Sequence, residues 1–125
     1  MKALVILIAL VVVPMIAIAE PCTGVTEATI SNHDTYAFCW DPNPDYDGVV
    51  YYNIYCNGSL FDSVSNVVCD WERCDSGIYP KLARGVYVYT ITAENIDGME
   101  SAHSEPVTIT VINEAPGQVK NPKKK

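Results

Sequence analysis

From Thr23 to Ile112 short apolar stretches alternate with turn residues at intervals of about ten, the cadence of strands joined by tight connections. No window sustains an apolar period of about 3.6, so amphipathic helices are not expected. The pattern places strands near residues 25–30, 35–40, 49–56, 59–64, 66–71, 86–95 and 104–112, the seven that a two-sheet sandwich needs.

The alternation also assigns faces. In 35–40, Tyr36, Phe38 and Trp40 share one side while Ala37 and Cys39 take the other, which predicts an inward aromatic stripe with Trp40 buried between the sheets and Cys39 facing out. Tyr52, Ile54 and Cys56 form the inward set of 49–56. Asn57-Gly58 then supplies the positive φ angles of a two-residue type I′ hairpin, pairing Cys56 with Ser59 and Ile54 with Phe61. Tyr87, Tyr89, Ile91 and Ala93 line the inner face of 86–95, and Asp97-Gly98 turns the chain toward Val107, Ile109 and Val111, which alternate with Thr108 and Thr110.

Residues 3–19 carry no charge, follow Lys2 and end in Ala17-Ile18-Ala19, the layout of a cleavable secretory leader. A retained anchor is the rival, because 17 apolar residues fall just short of the roughly 18 to 20 that cross a bilayer. Pro14 and the Ala-x-Ala site favour cleavage. Glu20 and Pro21 before Cys22 argue against a lipoprotein. Cleavage after Ala19 leaves 106 residues, enough for one domain at 20–112. Within that body 14 acids face only Arg73, Lys81 and Arg84, a balance that repels nucleic acid and anionic lipid. Lys120, Lys123, Lys124 and Lys125 all follow it, in a segment at 113–125 that reads as a disordered basic tail. Five cysteines suit an exported, secreted or periplasmic protein and are expected to be mostly oxidised.

Trp40, the run Tyr52-Asn53-Ile54-Tyr55 with Asn57-Gly58, the set Leu82, Gly85 and Tyr87, and the close Ala93-Glu94-Asn95, Gly98-Met99-Glu100-Ser101 and Ser104-Glu105-Pro106-Val107 resemble a fibronectin type III domain of the kind found in bacterial secreted proteins. The resemblance covers about 90 residues, roughly the length of such a sandwich and essentially the whole mature body. It implies an all-β, seven-stranded, two-sheet Greek-key sandwich of immunoglobulin-like type, with Trp40 as the tryptophan of the second strand and Tyr87 as the corner tyrosine. It also implies adhesion, spacing or binding rather than catalysis. Two features depart from the pattern: the spacing from Leu82 to Tyr87 is one residue short and lacks a proline before Gly85, and 72–81 reads as an insertion between the fifth and sixth strands.

The acidic run Asp41-Pro42-Asn43-Pro44-Asp45-Tyr46-Asp47-Gly48 superficially resembles a calcium loop, yet it lacks an acid at position three and a Glu at twelve. A proline-stiffened connection with solvated carboxylates fits better. Cys69 and Cys74 are spaced too widely for a redox or zinc pair, and only His33 and His103 could complete a metal set, so no metal or other cofactor is implied. Disulfides are the better reading. Facing directions favour Cys39–Cys69 and Cys56–Cys74, with Cys69–Cys74 as the rival and the fate of Cys22 open. No positioned nucleophile accompanies the two histidines, so no catalytic residue is assigned. Asn57-Gly58-Ser59 meets the glycosylation pattern, although a tight turn already explains it.

Eight tyrosines and two tryptophans exceed what a core of this size must bury, so Tyr46, Tyr51, Tyr55, Trp71 and Tyr79 are candidates for exposure. Trp71, Arg73 and Tyr79 combine the residue types enriched in binding hot spots and are taken as the candidate binding set. The expected partner is an extracellular protein or a polysaccharide, with no nucleic acid and no membrane contact after leader cleavage. An accessory carbohydrate-binding module is the alternative function, as is a spacer left from a longer protein. Ala115-Pro116-Gly117-Gln118-Val119 hints at the latter because it looks like the lead-in to another such domain.

Overall fold

The computed structural model describes residues 21–125, and the expected leader at 1–19 lies outside them. The strands are β1 (Glu27–Ser31), β2 (Cys39–Trp40), β3 (Val49–Cys56), β4 (Ser59–Ser65), β5 (Cys74–Asp75), β6 (Gly85–Asn95) and β7 (Val107–Ile112), with two short 3₁₀ turns at Asp45–Asp47 and Asn66–Val68. Five strands form one sheet in the order β1-β7-β6-β3-β4, and β2 pairs with β5 in a second. Every pairing is antiparallel except β1 with β7. The fold is therefore the expected all-β, seven-stranded, two-sheet sandwich.

The inward faces follow the alternation of the sequence. Tyr36, Ile54, Tyr89, Ile109 and Val111 form one buried cluster with Phe38, Leu82 and Tyr87 packed against it, and Tyr52, Cys74 and Ala93 form another. Trp40 touches both clusters and stacks edge-on against Tyr52 at 5.4 Å between ring centres. Its Nε1 is sealed from solvent and has no hydrogen-bond partner among the described residues. Tyr87 donates its hydroxyl hydrogen to the carbonyl of Ala83 at 2.8 Å, so the corner forms despite its shortened spacing. Gly85 opens β6 in an extended conformation with the Tyr87 ring lying beside it.

The Asn57-Gly58 turn forms with φ of 50° and 86°. Cys56 pairs with Ser59 as expected, but Ile54 pairs with Asp62 rather than Phe61 because a bulge interrupts β4. That bulge places both Phe61 and Asp62 toward Tyr79: Phe61 packs on its ring at 4.9 Å and Asp62 accepts its hydroxyl hydrogen at 2.7 Å.

The fifth strand is also displaced. Residues 66–71 were expected to be extended, yet the Ser65 Oγ accepts from the Val67 N–H and Asn66 Nδ2 donates to the carbonyl of Val49, which turns the chain at Asn66–Val68. The strand falls instead at Cys74–Asp75, inside the stretch that read as an insertion. It registers Cys39 with Asp75 and Trp40 with Cys74, and a further bridge joins Tyr36 to Tyr79.

Disulfides join Cys22 to Cys39 and Cys69 to Cys74, leaving Cys56 as a free thiol. The pairs Cys39–Cys69 and Cys56–Cys74 are thus corrected. Cys39 has the residues leading into β1 as its neighbour, with Gly24 close to its sulfur. Cys69 lies in a turn directly opposite Cys74. Cys56 and Cys74 pack against different core clusters, which prevents a bridge between them.

Candidate functional site

The turn between Cys69 and Cys74 is built to present its middle. The disulfide closes its base, the Asp70 N–H donates to the Arg73 carbonyl at 2.9 Å, and Asp70 Oδ1 accepts from the N–H groups of Arg73 and Glu72 at 2.8 and 2.7 Å. Those backbone donors, Arg73 first, hold the Asp70 carboxyl below the usual carboxylate range. Trp71 is left 78% exposed.

Pairing of β2 with β5 carries this turn to the end of the sandwich where the acidic loop 41–48 also lies. Tyr52 pins that loop, its hydroxyl accepting from the Asn43 N–H at 2.9 Å and donating to Asn43 Oδ1 at 3.2 Å. Asn43 Nδ2 donates to Asp47 Oδ2 at 3.0 Å, and Gly48 closes the 3₁₀ turn at φ 61°. Between loop and turn lies an open groove of about 620 Å³, walled by Pro42, Pro44, Asp45, Tyr52, Asp70 and Trp71. Tyr46 projects from the same loop, 88% exposed.

The candidate binding set is therefore divided. Trp71 lines the groove. Arg73 sits beside it with Nε donating to Asp75 Oδ2 at 3.1 Å. Tyr79 belongs to the opposite end of the small sheet, where it packs on Tyr36 and Phe38 and donates to Asp62. Burial first, and the Asp62 carboxylate second, push the Tyr79 hydroxyl pKa upward. Tyr79 is thus engaged within the sandwich, away from the groove. The proline walls and Asp45 were read apart from Trp71, because only the β2–β5 pairing unites segments so distant in sequence.

The histidines stand elsewhere and apart. His33 Nδ1 lies 3.0 Å from Glu114 Oε1, while His103 Nδ1 meets the Thr90 hydroxyl at 2.7 Å and stacks on Tyr55. Among the described residues no group of three or more His, Cys, Asp or Glu is disposed to hold a metal ion.

On the outer face of the large sheet Glu100 Oε1 accepts from Thr92 Oγ1 at 2.6 Å, Tyr55 at 2.7 Å and Asn53 Nδ2 at 3.2 Å. These donors, Thr92 foremost, lower its pKa. The cluster is internally satisfied and fastens the 99–104 segment, whose Ser101 and Ser104 hydroxyls accept from the N–H groups of Ala93 and Ile91 at 2.9 Å. Here the closing serine run of the sequence finds its purpose, completing the upper half of β6.

No protein-family model matches the sequence, and no curated protein matches it. Among solved structures, the extracellular domain of mouse leukocyte-associated immunoglobulin-like receptor 1, solved as a strand-swapped dimer, is similar with a TM-score of 0.54 at 16% identity, covering 88% of this chain and 99% of that one. The immunoglobulin-like domain of the same receptor aligns with a TM-score of 0.55 at 14% identity over 80% of this chain and 98% of that one. The fibronectin(III)-like modules of Clostridium thermocellum CbhA align with a TM-score of 0.54 at 11% identity, over 76% and 98%. The fold is that of the immunoglobulin-like and fibronectin type III sandwiches. Identities this low speak to architecture alone. Within this type III-like sandwich, the groove lies among loops at one end, a place where rigid scaffolds display binding residues.

Proposed function

We propose that this protein is an exported, non-catalytic β-sandwich module that binds an extracellular protein through the groove beside Trp71. The observation that carries the reading is an indole 78% exposed on a turn closed by a disulfide. Leaving so large an apolar side chain in water is a standing cost that binding would relieve. Because the turn is already ordered, little side-chain and loop entropy is lost on contact. Export is supported by the apolar leader ending in Ala17-Ile18-Ala19 and by the two disulfides, and the neighbours in fold are compatible with an extracellular location.

The test is affinity capture of a partner from native extracellular material with the mature protein, beside Trp71→Ala. The substitution should weaken capture at least about tenfold, as removal of a central aromatic anchor does. Thermal stability should be unchanged. Equal capture by a folded Trp71→Ala protein would move the site elsewhere. A second reading, an accessory polysaccharide-binding module, draws on Tyr46 and Trp71 as two exposed rings at the same end. Competition by neutral oligosaccharides would favour it.

A further inference from the structure

We infer that the groove receives a cationic protein segment, with a lysine or arginine side chain laid against Trp71 and its charge between Asp45 and Asp70. The inference rests on the binding-module reading and specifies its partner. Two features of the groove lead to it.

First, charge is segregated along the sandwich. The loops at the groove end carry Asp41, Asp45, Asp47, Asp70 and Glu72, whereas their only base, Arg73, is engaged by Asp75 at 3.1 Å. Lys81 and Arg84 lie toward the other end, before β6. Asp45 and Asp70 line the groove itself, within about one Debye length, roughly 8 Å at physiological salt, of a group seated against them, so an anionic ligand is opposed. A positive one is drawn in and oriented.

Second, the chemistry of the walls matches a cation on an apolar stem. An indole face attracts ammonium and guanidinium groups better than other aromatic rings do, and Pro42 and Pro44 offer a stiff apolar surface for the methylenes. Asp70 spends Oδ1 on two backbone donors, and among the described residues no hydrogen bond to its Oδ2 is formed. A cationic donor there adds charge pairing to the hydrogen bond, whereas a sugar hydroxyl supplies the hydrogen bond alone. A volume of about 620 Å³ exceeds what one side chain fills and suits a short segment.

The experiment is calorimetric titration of the mature protein with pentalysine, pentaglutamate and a neutral glucan pentasaccharide. It is run at dilution where sedimentation shows monomers, since Lys120 to Lys125 of a neighbouring molecule is itself a cationic segment. Pentalysine should bind, with affinity falling as salt rises, and the other two should not. Trp71→Ala, and separately the double change Asp45→Asn with Asp70→Asn, should each weaken pentalysine at least tenfold. Asparagine keeps the acceptor oxygen of the Asp70 turn, and near-ultraviolet dichroism checks that the fold persists. Glu27→Gln, on β1, should leave affinity unchanged. Absence of pentalysine binding, equal binding by the double variant, or tighter binding of the glucan would overturn the inference. A partner captured in a Trp71-dependent manner that pentalysine does not displace would overturn the cation while keeping the module. Capture indifferent to Trp71 would move the binding site away from the groove and overturn the inference with it, and failure to capture any partner would remove the module reading itself.

Discussion

The two sheets of this sandwich hold together by different means. The five-stranded sheet is a continuous ladder in which β6 alone runs 11 residues and β3 pairs along both of its edges. The small sheet has two residues per strand, and each of its strands carries a cysteine bonded outside the pairing: Cys39 to Cys22 and Cys74 to Cys69. The thiol of the large sheet, Cys56, is free. Backbone hydrogen bonds are cooperative only when many are adjacent, so a two-residue ladder needs another constraint. Here covalent links supply it, which fits export into an oxidising environment.

The contrast can be broken most forcefully at Trp40, the small sheet's contact with both core clusters. Trp40→Ala should cost about 3–5 kcal/mol in denaturant unfolding through lost burial and a cavity. Trp40→Phe should cost clearly less, because a benzyl ring still fills much of the site while the unpartnered N–H is gone. Wild-type stability in the alanine variant would mean that the small sheet contributes little to the core.

Next come the disulfides. Replacing Cys22 and Cys39 together by alanine should cost about 3 kcal/mol, since the closed loop has a sequence separation of 17. Replacing Cys69 and Cys74 should cost about 2 kcal/mol for a separation of 5. Hydrogen exchange should then rise in β2 and β5 well before it rises in β3 and β6. Uniform loosening would contradict the division of labour.

Smaller effects sharpen the large sheet's side of the comparison. Tyr87→Phe should cost about 1 kcal/mol by removing the bond to Ala83, with the ring still packed. Glu100 gives a pH signature. Its folded pKa is lowered, so its stabilising contribution is present above the ordinary glutamate value of 4.5 and is lost as pH falls through the lowered one. Glu100→Gln should therefore flatten the acid limb of a stability profile below that value, while leaving β2 and β5 exchange unchanged.

The same division explains what the sequence could reveal. Where strands are long and local turns are strong, alternation sufficed: Tyr87, Tyr89, Ile91 and Ala93 face the core, and Asn57-Gly58 turns where two positive φ angles are needed. The fifth strand did not announce itself, since two residues have no period and Val67 and Val68 imitate a strand while a serine cap turns the chain there. The bulge in β4 was invisible for a related reason. It answers to Tyr79, whose hydroxyl draws in Asp62 from a stretch far along the chain. The cysteine partners depended on which segment crosses beside Cys39, a fact of topology. Trp71 was legible as a candidate for exposure by type, but its companionship with Asp45 and Pro42 was not, because the β2–β5 pairing that creates it was itself hidden.

The Asn57-Gly58 turn has a consequence in chemical ageing. Asparagine followed by glycine is the pair most prone to deamidate, because the unshielded glycine nitrogen can attack the side-chain amide carbon and close a succinimide ring. In this molecule Asn57 is gripped twice by Val88: its N–H donates to the Val88 carbonyl at 2.7 Å, and its Oδ1 accepts from the Val88 N–H at 2.8 Å. With its oxygen bonded to Val88, the amide is restrained from turning, so loosening of the hairpin tip from β6 should speed cyclisation. The ageing of the turn is thus tied to the breathing of the sheet, and the isoaspartate and aspartate that accumulate at position 57 should track that opening.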